Sequence, residues 1–174
     1  MSAALEQNLD LLRQGVDLLE RIDDAIYRGE SQSLETSYRV GPHLRHVVDA
    51  YGCLLRGLPA GRVDYDSRER SSQIESDRSA GLAALDELAP KLEALREVDA
   101  HAELTVKVDT PTDAPGAWSR STLRRELQFL VGHTVHHFAL IALILRRDGF
   151  EPGREFGVAP STLRHWAREE SIAR

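Results

Sequence analysis

Leu5, Leu9, Leu12, Val16, Leu19, Ile22 and Ile26 recur at spacings of three and four, with Glu, Asp, Gln and Arg between them. This is one face of an amphipathic helix. It predicts a first helix running to about Arg28, with Gly29 as its stop. After a polar stretch, GESQSLETSYR, the pair Gly41-Pro42 marks a second start, because proline suits a first turn where its missing N–H does no harm. Leu44, Val47, Val48, Tyr51, Leu54 and Leu55 give that helix a broad apolar side to about Arg56, and Gly57, Pro59 and Gly61 end it. Residues 62–76 are charged and read as a loop. Asp77 then caps a third helix with the stripe Leu82, Leu85, Leu88, Leu92 and Leu95, in which Pro90 predicts a kink or break.

Residues 103–108, ELTVKV, alternate polar and apolar and predict a short strand, whose partner would have to come from 62–66 or 109–118. TPTDAPGAWS reads as a loop. Ser119 or Ser121 caps a fourth helix that runs to about Asp148, roughly 40 Å at 1.5 Å per residue, and ends at Gly149 and Pro152. Leu123, Leu127, Leu130, Thr134, His137, Phe138, Ile141 and Leu145 lie on its inner face. A short last helix begins at Ser161, after Pro160. The expected fold is all-α: one domain, a four-helix bundle with long crossover connections and a short C-terminal helix.

Composition narrows the function. The 174 residues are 41% hydrophobic and 29% charged, with a net charge of -6. This balance argues against nucleic acid or an anionic membrane as partner, since both select basic surfaces. A single cysteine rules out an intrachain disulfide and the Cys-rich zinc folds. The best apolar run is cut by His133, His136 and His137 before it reaches the roughly 18–20 residues of a membrane span. The N-terminus has no basic-then-apolar signal pattern, so a soluble cytoplasmic domain is expected.

Five of the seven histidines fall inside two predicted helices. His133 and His137 are four apart and share a face; at 100° per residue His137 sits near the middle of the apolar stripe, His133 on its flank and His136 outside. Two imidazoles one turn apart can bind one divalent ion, and a third from another helix would leave positions open for water or substrate. Both His43 and His46 could be that third. The wheel mildly favours His43; His46 lies beside the small residues Ala50, Cys53 and Gly57, where a neighbouring helix can approach. The alternative is that these are core histidines satisfied by hydrogen bonds. Taken as a group they leave that alternative and a shared cation evenly balanced, because several buried imidazoles are costly without partners and one ion would satisfy three at once.

GPHLRHVVDAY, HTVHHFAL and the order of the helices resemble the DinB-like metal-binding four-helix bundles, a superfamily that includes bacterial thiol-dependent S-transferases. The resemblance spans about 3–148 and leaves 149–174 as an extension. It implies a metal site on His46, His133 and His137, since His46-Val47-Val48-Asp49 fits the second-helix motif. It also implies a cofactor that is a divalent ion, zinc first, with nickel or iron also suited. Transfer chemistry with a low-molecular-weight thiol and a small-molecule substrate is the activity it suggests; the alternative is a non-catalytic metal- or ligand-binding accessory or stress-response protein. Asp49 is either a support for the site or a plain surface carboxylate. Glu126 either orients a ligand histidine, contacts substrate or favours a helix N-terminus. Thr134, not Glu, follows His133, so the zinc-protease general base is absent. Phe156, Val158, Leu163 and Trp166 on a polar tail either fold back or pair two copies into a homodimer.

Overall fold

The computed structural model describes residues 3–29, 39–108 and 117–172; the expected linkers over 30–38 and 109–116 lie outside them. The protein is mostly helical, as the periodicities predict, with a small sheet added. The first stripe forms α1, Ala3–Arg21, but does not continue to Arg28. Asp23 adopts extended backbone and accepts a hydrogen bond from the Ile26 N–H, starting a separate α2, Asp24–Arg28, which Gly29 closes in the left-handed region. A capping carboxylate can restart a helix inside an unbroken apolar stripe, which the stripe alone does not reveal.

α3 spans Val40–Gly57 and α5 spans Arg78–Glu93, with Asp77 capping α5 through the Ser79 and Ala80 N–H groups. Pro90 does not break α5; the helix runs past it to Glu93 and tightens into a 3-10 turn over Ala94–Glu97. α6 spans Leu123–Arg147, capped by Thr122 rather than by Ser119 or Ser121, and α7 spans Pro160–Ile172. α1 packs on α5 and α6, and α3 packs on the same two. Leu12, Leu44, Leu54, Leu85, Leu92, Leu127 and Phe138 meet in the resulting core, each almost wholly buried. Each such side chain contributes roughly 1.5–3 kcal/mol relative to exposure.

Residues 62–76 are not simply a loop. They contain β1, Arg62–Asp64, and a one-turn α4, Ser72–Ser76. The predicted strand forms as β2, Glu103–Lys107. It pairs parallel with β1, Val63 opposite Val106, and antiparallel with β3, Ser119–Thr122, Leu104 opposite Ser121. One partner therefore comes from the region expected; the other is the stretch read as a helix cap. Glycine allows two close approaches that fix this arrangement. A Cβ on Gly57 would lie 2.3 Å from the Arg62 carbonyl oxygen, and one on Gly41 2.0 Å from that of Glu75. The two ends of α3 are thus seated directly on the backbone of β1 and α4.

α6 is long and apolar enough to cross a membrane by length and composition, with a mean hydropathy of 1.5 over its most apolar stretch. The sequence expectation that its histidines disqualify it does not hold on that measure. Its apolar residues nonetheless serve as core: Leu123, Leu127, Leu130, Phe138, Ile141 and Leu145 are all buried. The tail folds back in part, with the Phe156 ring stacked on Phe138 at 4.8 Å and Trp166 covered by the Arg154 guanidinium.

Candidate metal centre

Helical spacing delivers the histidines. His133 and His137, one turn apart on α6, lie half-buried beside His46 of α3, while His136 points out to solvent. One nitrogen from each of His46, His133 and His137 can be chosen so that the three lie within 4.8 Å of one another. The ring centroids are 4.7 Å apart for His46 and His137 and for His133 and His137, and 4.9 Å apart for His46 and His133. Two nitrogens on one zinc ion lie at most about 4.2 Å apart, so the three rings are gathered as candidates for one ion and need a small closing movement to share it.

His43 is not in that trio but touches it. Its Nδ1 lies 3.1 Å from the Nδ1 of His137. One of the two must donate and the other accept. If His137 donates, its Nε2 lone pair is left for a ligand, and His43 serves as the acceptor that fixes ring and tautomer. The wheel's ambiguity between His43 and His46 has a physical basis, since both rings reach the α6 histidines from the same side of α3.

The cluster is kept neutral and partly unsatisfied. Burial, reinforced by the neighbouring rings, pulls His133 down to about 4 and His137 down to about 3. Burial and then the Arg68 charge lower His46 as well. Neutral imidazole is the form that ligates metal. The Nε2 of His133 is buried with no hydrogen-bond partner, and an orphaned buried acceptor or donor costs about 1–3 kcal/mol. The donor set, its spacing and this orphan all fit a divalent ion.

The carboxylates have other duties. Asp49 is buried and not the surface group that was one of its readings. It accepts from Arg45 at 2.9 Å and from the backbone N–H of Arg70 at 3.2 Å. Glu126 is buried in the first turn of α6, where it accepts from Tyr65 at 2.8 Å and from the Ser121 hydroxyl. No hydrogen bond links it to a histidine, so the expectation that it orients a ligand ring is not met. Burial and the adjacent Glu126 charge push the Tyr65 phenol far up, keeping it a donor. Its ring lies 5.1 Å from Phe129, which in turn stacks on His133 at 5.5 Å. Thr134, in the place a zinc-protease base would take, faces the core and donates to Tyr51.

Arg68 is the residue that sequence reasoning missed. Its Nη1 lies 2.9 Å from the Nδ1 of His46. It arrives on the loop after β1, which is laid along a single stripe of α3. His46, Asp49, Cys53 and Arg56 follow at spacings of three, four and three. Asp49 holds Arg70, while Cys53 and Arg56 both reach the Ser67 carbonyl. Burial raises the Cys53 thiol, so it is a packed, protonated group and not a site nucleophile. The periodicity of His46, Asp49, Cys53 and Arg56 was readable beforehand; what they hold was not.

A cleft of about 610 Å³ is lined by Gln7, His101, Arg124, Gln128 and Arg164 among others, and includes none of the three clustered histidines. Among proteins of known sequence, the chain is similar to one named FK506-binding protein 5, from Rhizopus delemar. The two are 27% identical over 165 residues, a match covering 92% of this chain and 37% of the other. The chain thus corresponds to little more than a third of that relative's length. No family model and no solved structure matches the chain.

Proposed function

We propose that this protein is a DinB-like four-helix bundle that binds one divalent metal ion through His46, His133 and His137, and that it uses the ion for transfer chemistry with a low-molecular-weight thiol. The observation that carries the reading is the convergence of three neutral imidazole rings from two helices, one with a buried unpartnered nitrogen. The ring of contacts α1–α5–α3–α6 supports the bundle. Zinc is the first expectation, and nickel and iron suit the same ligands. A divalent ion held by neutral ligands keeps its charge and would lower the pKa of a thiol or water at its open positions.

The protein's own residues favour a thiol over water as the nucleophile. Attack by water is helped by a positioned general base. The two carboxylates nearest in sequence to the ligands are committed, Asp49 to Arg45 and Arg70, Glu126 to Tyr65 and Ser121. A thiol starts from a much lower pKa and has less need of such a base. His43 holds His137 in orientation, and Phe129 stacks on one face of His133.

Metal analysis of protein purified without a nickel column tests the site: near one ion per chain is expected, falling on His133→Ala. A stoichiometry well below one that His133→Ala leaves unchanged sinks the reading. A panel of small thiols with a generic electrophile tests the reaction, and no turnover with any thiol by the metal-loaded protein removes the transferase assignment.

A further inference from the structure

Arg68 and a metal ion make opposite demands on His46. Guanidinium can only donate, so the Nδ1 of His46 is the acceptor in their 2.9 Å contact. A neutral imidazole has one N–H, which must then sit on Nε2. Ligation through Nε2 requires that proton to leave, through solvent, for Nδ1, where it would confront the Arg68 N–H donors. Ligation through Nδ1 places the ion where the guanidinium now donates. On either route the contact between Arg68 and His46 breaks.

The surroundings decide where Arg68 is held and what it lacks. Its neighbours in the chain are anchored to α3, Ser67 by Cys53 and Arg56, Glu69 by Arg56, and Arg70 by Asp49. Arg70 is kept in the left-handed region at φ 54°, uncommon for a residue with a side chain. With the backbone fixed on both sides, release moves the side chain and leaves its root beside the histidines. Among the described residues Arg68 pairs with no carboxylate, and its Nε is buried without a partner. Asp49, the acid closest in the chain to His46, already faces Arg45. A divalent cation on neutral rings beside an uncompensated guanidinium calls for a negative ligand.

We propose that Arg68 is a built-in competitor of the ion at His46, and that once displaced it selects an anionic ligand of the carboxylate class for the site. This rests on the metal reading above. A carboxylate meets both partners, one oxygen toward the cation and the other toward the planar N–H fork, which favours such oxyanions.

Cobalt(II), followed by its visible absorption and by chelator competition, is the probe, with acetate as the anion. Arg68→Gln is the principal variant, because its amide can accept from a His46 N–H as well as donate to its lone pair. In acetate-free buffer Arg68→Gln and Arg68→Ala bind cobalt about tenfold more tightly than wild type, the scale of one charge-assisted hydrogen bond. Millimolar acetate then shifts the cobalt spectrum of the wild type, and the two variants need about tenfold more acetate for the same shift. Equal cobalt affinity in wild type and Arg68→Gln overturns the competition. Equal acetate response overturns the selection. Failure of the wild type to take up cobalt, or uptake that His133→Ala does not change, overturns the metal reading itself and this inference with it. Thermal melting of the metal-free variants, expected to stay cooperative and to fall by only a few degrees for the lost contact with His46, separates these outcomes from misfolding.

Discussion

Thr134 and His133 are neighbours on α6, yet they belong to two polar clusters of opposite character. Thr134 closes a network in which every group is matched: its hydroxyl donates to Tyr51, Tyr51 donates to Asn8, and the Asn8 amide donates to the carbonyls of Ala4 and Leu127. All three side chains are buried, and they tie α1, α3 and α6 together at one level. His133 sits in a cluster that is half-buried, stripped of charge by desolvation, and left with an unpartnered nitrogen. The first arrangement is what folding rewards, since a satisfied buried network specifies one packing. The second is a cost to the fold, of the kind that the proposed ion would relieve.

The sharpest way to break this comparison is to exchange the consequences. His133→Ala is expected to lower divalent-ion affinity by at least about 100-fold, beyond the 10–100-fold typical of losing a supporting contact, while leaving metal-free stability nearly unchanged, because an orphaned group is lost. Isothermal titration and urea unfolding on the same variant measure both. Asn8→Ala is expected to do the reverse. It strands the Tyr51 hydroxyl and the Leu127 carbonyl, at about 2–3 kcal/mol of stability, with ion stoichiometry intact in the folded fraction. If Asn8→Ala proves mild and His133→Ala severely destabilising, the assignment of structural and functional roles is inverted.

The two clusters also differ in how far the sequence disclosed them. The pair His133 and His137 was legible because the helical repeat puts residues four apart on one face, and the same repeat correctly turned His136 outward. His43 against His46 stayed open because three residues along α3 separates two rings that both reach α6; the structure brings His46 into the trio and sets His43 against His137. Arg68 was not legible. Its position depends on the parallel pairing of Val63 with Val106, 43 residues apart, in a strand of three residues too short to show alternation. The restart of α2 at Asp23 and the passage of α5 through Pro90 escaped for a related reason. A local cap and a tolerated proline are settled by tertiary packing, which residue preferences only bias.

Smaller effects sharpen the histidine side. His43→Ala removes the partner of the His137 Nδ1 and is expected to weaken ion binding about tenfold without abolishing it, a result that chelator competition resolves. A loss as large as that of His133→Ala would make His43 a ligand. Acid should also distinguish the clusters. An unfolded histidine ionises near pH 6.5, whereas His133 and His137 resist protonation down to about 4 and 3 in the folded chain. Below about pH 6.5 the unfolded state therefore binds more protons, and stability rises with pH there. Metal-free protein is expected to show a flat urea midpoint above that pH and a gradual decline toward pH 4, shallower in His137→Leu. The Asn8 network has no ionising group in this range, so Asn8→Ala should shift the whole curve down without changing its slope.

The smallest expected effect is the most specific to helix geometry. His136 lies between His133 and His137 in sequence, and its ring stands only 5.1 Å from that of His137. Proximity alone would make it a fourth ligand. The helical repeat instead sends it to the exposed side, outside the group whose nitrogens converge within 4.8 Å. Its charge, when present, acts on the cluster only as one of the neighbours that depress His133 and His137. His136→Ala is thus expected to leave ion affinity within about twofold, because the ring it removes lies outside the converging group. A larger loss of affinity would mean that the ion sits on the outer face of α6, and that the unpartnered His133 nitrogen is satisfied in some other way.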